Sequence, residues 1–553
     1  MTTNIARNRA RSINVRHYVA RALLAVIAVS YSAIASTYAT PTTDLTNPGG
    51  VMEVAVHWHG NTPHYHVVAA GEQNAVTQQP NQSSGFRAPN VAYTTGTHRA
   101  LVINLVRPDG LAAPRDVVNA RYLEGAAGMN AMSRGMLTIN VDVFGRDVAV
   151  PYGADICNQT TALTQTVLNE VRREISTDGY RFISFVLPVR WSEKCPFNGL
   201  GQVGGTFTWN AAIYVEGEAP SPEPFFSMHS FVIMHEWGHN LGLWHSNYLQ
   251  CSVSGQPIAL AARADRAGGA CKRHEYGGEW SVMGSGFGSL ITAGERRHLG
   301  WLRDGEQTTV SQATVTLGLD GPVSLVWLEN AEGDLFQVEF VRPGASQFGR
   351  RDYLSGKYVS NAGNPGVLVK FVESASTSAT DFVLDTTPQT GILTDAPLKA
   401  LQSWSDATGS VSVTVLSITE NSATVQLNGL AVAPSAVTVT RVAPRADLGT
   451  VDIVWQAAPS ALRVARYEVI VYEGAEQRQV HVVTADGLRN ALQIPNATHG
   501  NDYWVAVRAI NELGVAGPTS AVAPVRWENP NKPGNDNGGT KPCTGKRPGK
   551  RCK

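Results

Sequence analysis

Apolar and polar residues alternate with a period of two through much of the chain, and polar segments rich in Gly and Pro cut that alternation into short runs. This is the pattern of half-buried strands joined by turns. Between residues 97 and 305 the strand candidates are 98–106, 135–143, 181–188 and 204–215. The last is expected as an exposed edge strand, able to hydrogen-bond an extended peptide. A helical period replaces the alternation at 160–175, where Leu163, Val167, Leu168 and Val171 share one side. A second helix, barred upstream by Pro222 and Pro224, is expected to begin near Ser227, with Phe231, Val232, Met234 and Leu241 as its apolar surface. From about 306 to 430 the pattern is all-β, with runs at 310–317, 335–341, 366–372, 411–418 and 422–427 that predict a sandwich. Another all-β stretch occupies 434–527, where Val505, Val507 and Ala509 fall on one face.

The chemistry is concentrated in the second helix. Residues 235–245 read His-Glu-Trp-Gly-His-Asn-Leu-Gly-Leu-Trp-His. His235 and His239 are four residues apart, so on a helix both imidazoles leave the same face. Such a pair can hold one cation, at roughly 2.0–2.1 Å from each ring nitrogen if it is zinc. Glu236 follows the first ligand directly and falls beside the ion, where a general base for an activated water is needed. Gly242 can turn left-handed at low cost and end the helix, bringing His245 round as a third ligand. Three protein ligands and an open position are the catalytic arrangement of zinc, whereas structural sites are closed by four.

These residues resemble the metzincin metallopeptidase signature, which is followed downstream by a Met-turn. Tyr276-Gly-Gly-Glu-Trp-Ser-Val-Met283-Gly284 supplies that turn, with Met283 expected beneath the ligand histidines. Within the metzincins the sequence most resembles the gametolysin-like family, through HEWGHNLGLWHS, the YGG-x-x-x-VMG segment and the helix-like run at 291–302. The resemblance covers 97–305 and, more loosely, the β-rich stretch to about 430. It implies an α+β metzincin catalytic domain, a mixed sheet plus zinc helix, followed by all-β sandwich domains. It also implies one catalytic Zn2+ on His235, His239 and His245, Glu236 as base, and cleavage of extracellular matrix or cell-wall proteins. Many metzincins place a Tyr two residues after the Met to stabilise the oxyanion; here that position is Ser285, and Tyr276 is the substitute on offer. Residues 434–527 resemble a fibronectin type III module, with Trp455 in an early strand, a strong alternation at 467–472 and Tyr503 at a tyrosine corner; a spacer is the expected role.

Composition narrows the class. Lys plus Arg and Asp plus Glu both number 45, and the pI is about 7.2, so no global field draws the chain to nucleic acid or a membrane. It contains no Walker-type loop and no dinucleotide fingerprint. Charged residues are only 16% of the total, a balance that suits an exported β-rich protein. Residues 1–39 read as a signal peptide: Arg7, Arg9, Arg11, Arg16 and Arg21 precede an apolar core at 22–35, with cleavage after Ala35 or Ala39. That core is too short to span a bilayer comfortably and no later run is long enough, so the expectation is a secreted, extracellular protein without stable membrane insertion. The six cysteines fit an oxidising compartment, and sequence proximity favours Cys157–Cys195, Cys251–Cys271 and Cys543–Cys552 among fifteen connectivities. No cysteine precedes residue 157, so a prosegment that blocks zinc with a thiolate is not available.

Residues 40–96 are expected to be a prosegment or a small β module. Two alternating runs, 51–59 and 64–68, flank a turn at 60–63. A symmetric hairpin would pair His59 with His64 and His57 with His66, placing all four on one face that could bind a second metal; a plain exposed strand face is the simpler account. The end of the chain, 528–553, reads as a flexible basic tail in which Lys546, Arg547, Lys550 and Arg551 could touch an anionic surface. The leading reading is a secreted zinc endopeptidase acting on extracellular proteins or glycoproteins. The alternative is a non-catalytic, metal-stabilised adhesion or binding protein, and Glu236 separates the two, because a purely structural site needs no base. A deacylase on the same zinc site is a third.

Overall fold

The computed structural model of the chain describes residues 53–59, 62–68 and 91–526, less positions 194, 217–224, 285–289, 320, 343–349, 352–357, 360–364, 374–379, 446–449, 475–476 and 494–501. The expected signal peptide, Ser285, Pro222, Pro224, the Cys543–Cys552 pair and the basic tail lie outside the described residues. The chain forms two compact units, one ending at Val432 and the other starting at Ala433.

The first residues described are a hairpin, β1 (Glu53–His59) and β2 (Thr62–Val68). Its register pairs His57 with His64, Ala55 with His66 and His59 with Thr62, two places from the symmetric arrangement expected. Two residues separate the strands instead of four, a connection length that suits the twist of paired strands. A shift of two keeps the histidine positions at one register parity but leaves only His57 and His64 directly opposed.

The next strands build a mixed sheet in the order β4 (Leu137–Val143), β3 (Gly96–Val106), β5 (Tyr180–Arg190), β7 (Phe207–Val215), β6 (Gly199–Gly201). The first four run parallel and β6 runs antiparallel to β7. Alternation sorts the side chains to two buried faces. Leu101, Ile103, Leu105, Ile183, Phe185 and Leu187 pack on α2 (Thr160–Val171) through Leu163, Val167, Leu168 and Val171, as expected. Ala100, Val102, Phe182 and Val186 face α1 (Arg115–Met132) and α3 (Ser230–Asn240). The longest helix among the described residues, α1, has no counterpart among the sequence expectations, although Val118, Tyr122, Ala126 and Met129 are buried at helical spacing. The expectation of an exposed edge at 204–215 is corrected: β7 is flanked by β5 on one side and by β6 and β8 (Phe225–Ser227) on the other. Its main chain is thereby paired on both sides, and β6 and β8 carry the edge.

Immediately after α3 the chain leaves this sheet for a second one. Its order is β10 (Gln256–Ile258), β9 (Asn247–Val253), β16 (Asp381–Leu384), β15 (Gly366–Val372), β14 (Leu335–Val341), β13 (Leu325–Glu329), β12 (Gln307–Thr309), and β11 (Cys271–His274) also pairs with β9. The Cys251–Cys271 disulfide staples β9 to β11, and Cys157–Cys195 forms as well. A four-stranded sheet made of Gln312–Gly318, Ser422–Asn428, Ser412–Ile418 and Ser403–Ser405 packs against it. Leu328, Phe336, Val338, Val369, Val413, Val425 and Leu427 are fully buried within that sandwich. The sandwich therefore takes strands from both sides of residue 306, where the sequence pattern placed a boundary.

In the second unit the described strands form sheets of three and four, Val439–Arg445, Thr450–Trp455 and Arg489–Gln493 against Arg478–Ala485, Val464–Glu473, Asp502–Asn511 and Ala523–Arg526. Trp455 is buried at 5.5 Å from Tyr467, and Val505, Val507 and Ala509 point into the same core. Buried Tyr503 donates its hydroxyl to Glu473 at 3.2 Å.

Candidate active site

Helix α3 is set in rotation by what it buries. Ile233, Trp237 and Leu241, spaced four apart, enter the core, where Trp237 lies 5.7 Å from Tyr122 and 5.6 Å from Phe182 between ring centroids. Sequence patterning chose Leu241 correctly but named Phe231, Val232 and Met234, which are only partly buried, in place of Ile233 and Trp237. With that face inward, His235 and His239 leave the opposite face. The helix starts at Ser230 rather than near Ser227, because residues 225–227 are used as β8.

At its other end Gly242 takes φ = +103°, and Leu243 N donates to Gly238 O at 3.0 Å, closing the helix by a left-handed turn. The turn carries His245 to the other two histidines. The ring centroids are 4.7, 4.8 and 5.3 Å apart, and one ligand atom from each ring can be chosen so that all lie within 4.8 Å. His239 and His245 are buried and His235 is 9% exposed.

Each ring is fixed through Nδ1. His235 donates to Val282 O at 2.7 Å, His239 to Leu243 O at 2.8 Å, and His245 to the Glu275 carboxylate. A carbonyl acceptor requires a proton on Nδ1, so in the neutral rings Nε2 carries the lone pair. The Nε2 atoms of His235 and His239 face one another at 3.1 Å. Converging lone pairs in a buried site repel unless a cation sits between them, and three imidazoles oriented through their outer nitrogens are a donor set that fits zinc. Glu275 was not singled out from the sequence. Its place next to Tyr276 was the available signal, but Glu279 in the same segment is equally a carboxylate, and it is the more deeply buried of the two.

Glu236 is 4% exposed, and burial pushes its carboxyl pKa well above the usual range. Its Oε2 has no hydrogen-bond partner among the described residues. The enclosure comes from β6. A Cβ on Gly199 would collide with Glu236 Oε1, and one on Gly201 would lie 2.9 Å from Oε2. The two glycines are thus what lets an edge strand lie on the helix at the glutamate.

Met283 is fully buried under α3, where a Cβ on Gly238 would sit 2.5 Å from its Sδ. Its carbonyl accepts from Ser246 N at 2.9 Å, which ties the turn to the residue after the third histidine. Tyr276 has φ = +62° and stacks on the site, 3.6 Å from His245 and 5.8 Å from His235 between centroids. Burial, then the charges of Glu236 and Glu275, hold its hydroxyl pKa well above the ordinary value. The side chains of His57, His59, His64 and His66 lie outside the described ones, so of the second metal site expected there only the backbone register is described.

Residues 161–252, from α2 to β9, match the family model described as gametolysin peptidase M11. That span contains the three histidines and Glu236, and the gametolysin-like resemblance read from the motifs holds over it. No curated protein matches the chain. Solved structures similar to it include the twitchin kinase region from C. elegans, at 15% identity and a TM-score of 0.15 over 19% of this chain and 18% of that one. Others are an Fn3-like protein from Clostridium thermocellum (18% identity, 17% of this chain and 92% of that one, TM-score 0.14) and the sixth fibronectin type III domain of human fibronectin type III domain containing protein 3 (20%, 18%, 91%, 0.16). The chain thus spans under a fifth of the twitchin structure.

Proposed function

We propose that the chain is a secreted zinc metalloendopeptidase of metzincin type, acting on extracellular matrix or cell-wall proteins and glycoproteins. The observation that carries the reading is the convergence of three Nδ1-anchored histidines beside a buried glutamate whose Oε2 has no hydrogen-bond partner among the described residues. Zinc bound by Nε2 of His235, His239 and His245 would supply Lewis acidity to the scissile carbonyl and to the attacking water. Glu236 takes the proton of that water and delivers it to the leaving amine nitrogen. Gly199 and Gly201 let β6 close over its carboxylate and shield it from bulk solvent, which strengthens each interaction made there. Glu275 and Tyr276 hold His245, the one ligand outside the helix, by a hydrogen bond and a ring contact.

A metal-stabilised adhesion protein has no use for a carboxyl buried in this position, which disfavours the alternative. Two disulfides support export, and among the described residues no helix is long and apolar enough to cross a membrane. A second metal on the hairpin histidines, and contact of the basic tail with an anionic surface, remain separate proposals. Metal stoichiometry of the unprocessed protein with and without His57→Ala and His66→Ala tests the former.

The deciding experiment incubates purified mature protein with a panel of protein substrates, with and without a chelator, and maps fragments by mass spectrometry. Cleavage should need the metal. Glu236→Gln should keep zinc and lose turnover by roughly 10² or more, whereas His239→Ala should lose the metal itself. A fully active Glu236→Gln protein would refute the assigned role.

A further inference from the structure

We infer that Lys370 and Glu295 are positioning residues of the metal site, through which the second sheet sets the orientation of His235. This rests on the zinc reading above and extends it to residues far from the histidines in sequence. The path is continuous. Lys370, on β15, donates to Thr292 Oγ1 at 2.7 Å and pairs with Glu339 of β14 at 2.9 Å. Thr292 caps α5 (Ala293–His298) in a capping box with Glu295, and Glu339 accepts from Ala293 N at the same helix end. Both carboxylate oxygens of Glu295 accept from Ser281 Oγ at 2.7 Å. Ser281 Oγ in turn accepts from Met283 N at 2.9 Å, and Val282, between them, gives its carbonyl to His235 Nδ1.

All five polar side chains are at most 3% exposed. A buried ion pair is a poor means of bracing two layers, because an apolar residue of similar size does so without the desolvation cost. What the charge adds is direction. Lys370 fixes the Thr292 hydroxyl, Thr292 fixes Glu295, and Glu295 leaves Ser281 one orientation in which its lone pair meets Met283 N. The packing at this point is as close as the bonding: a Cβ on Gly294 would lie 3.3 Å from Lys370 Nζ. The carbonyl that sets the His235 tautomer therefore sits on a turn whose geometry is dictated from the sandwich.

The test uses the full chain carrying Glu236→Gln, which prevents self-cleavage, loaded with zinc or cobalt. Zinc release to a chromophoric chelator and the ligand-field spectrum of the cobalt form are recorded for Lys370→Met and Ser281→Ala. Val369→Ala, the neighbouring residue whose side chain enters the sandwich core, serves as a control for lost stability. Lys370→Met and Ser281→Ala should speed zinc release by about 10-fold, the size seen when outer partners of metal ligands are removed, and shift the cobalt bands. Val369→Ala, at equal or larger loss of Tm, should do neither. Release at the parent rate in both variants, or equal acceleration by Val369→Ala, overturns the inference. Should Lys370→Met not fold, Ser281→Ala decides alone. Zinc uptake with unaltered release removes only this inference, whereas a parent chain that takes up no zinc removes the peptidase reading with it.

Discussion

Gly201 lies flush against Glu236: a Cβ built on the glycine would fall 2.7 Å from the glutamate's backbone oxygen, 2.9 Å from its Oε2 and 3.1 Å from Cβ of His239. A backbone oxygen cannot swing aside, so any side chain here moves the edge strand or the helix. Gly201→Ala should therefore fold and keep most of its zinc, but lose kcat/KM by about 10², the cost of displacing a reacting group by roughly 1 Å. Peptidase kinetics with parallel metal analysis check this. Activity near that of the parent would mean β6 does not set the position of Glu236.

The carboxylate on His245 predicts a different loss. Glu275→Ala removes the acceptor at Nδ1 of His245, the histidine that lies outside the helix. Zinc affinity should drop about 10- to 100-fold, and Glu275→Gln, which retains an acceptor oxygen, should lie between the two. Competition with a chelator of known affinity gives the ranking, and an unchanged affinity in Glu275→Ala would contradict it.

A pH-dependent contribution to stability is expected from Asp334, at the turn between β13 and β14. It accepts from Arg263 and Arg266, each at 2.6 Å, both on the short helix α4 (Arg263–Ala267). Burial alone would raise its pKa, but the two arginines' hydrogen bonds and charges outweigh that and hold it below the ordinary value. A depressed folded-state pKa gives stability that is complete above the unfolded value, about 3.9, and is lost as pH falls through the folded one. Asp334→Asn should thus cost about 2 kcal/mol at pH 7 and progressively less below pH 4. Urea titrations at the two pH values test it; a penalty independent of pH would show that the charge is not what matters.

The hairpin at the start of the described chain suggests latency. Strand β2 passes within 8 Å, Cα to Cα, of β6, the strand that encloses Glu236. If residues 40–96 are a prosegment, the active secreted form should begin near residues 90–100. N-terminal sequencing decides this, and an active species starting near Thr40 would make the hairpin a permanent part of the enzyme.

How much of this was legible in the sequence depends on the range of each interaction. The three clustered histidines, Glu236 and the Gly242 turn are local, and their spacing brought them together. Helix α1 was missed although Val118, Tyr122, Ala126, Met129 and Met132 form its buried stripe, because glycines interrupt that stripe where the helix meets α3: a Cβ on Gly125 would come 3.1 Å from Ile233, and one on Gly128 would strike Met234. Close approach of two helices leaves no periodic signal. Gly199, Gly201, Glu275 and Lys370 escaped for the same reason, since each matters through a contact with a distant segment. The hairpin register was set by a connection two residues shorter than the turn residues suggested.

Strand β9 begins two residues after His245 and pairs in parallel with β16, more than a hundred residues on. A fragment that stops where the all-β pattern begins would keep all three histidines yet strip β9 of that neighbour, leaving an open strand edge next to the third ligand and a template for aggregation. The smallest inheritable piece that keeps the histidine cluster in its fold is then the whole run to Val432. Gene rearrangements cannot shuffle the histidine helix and the sandwich independently without breaking that pairing.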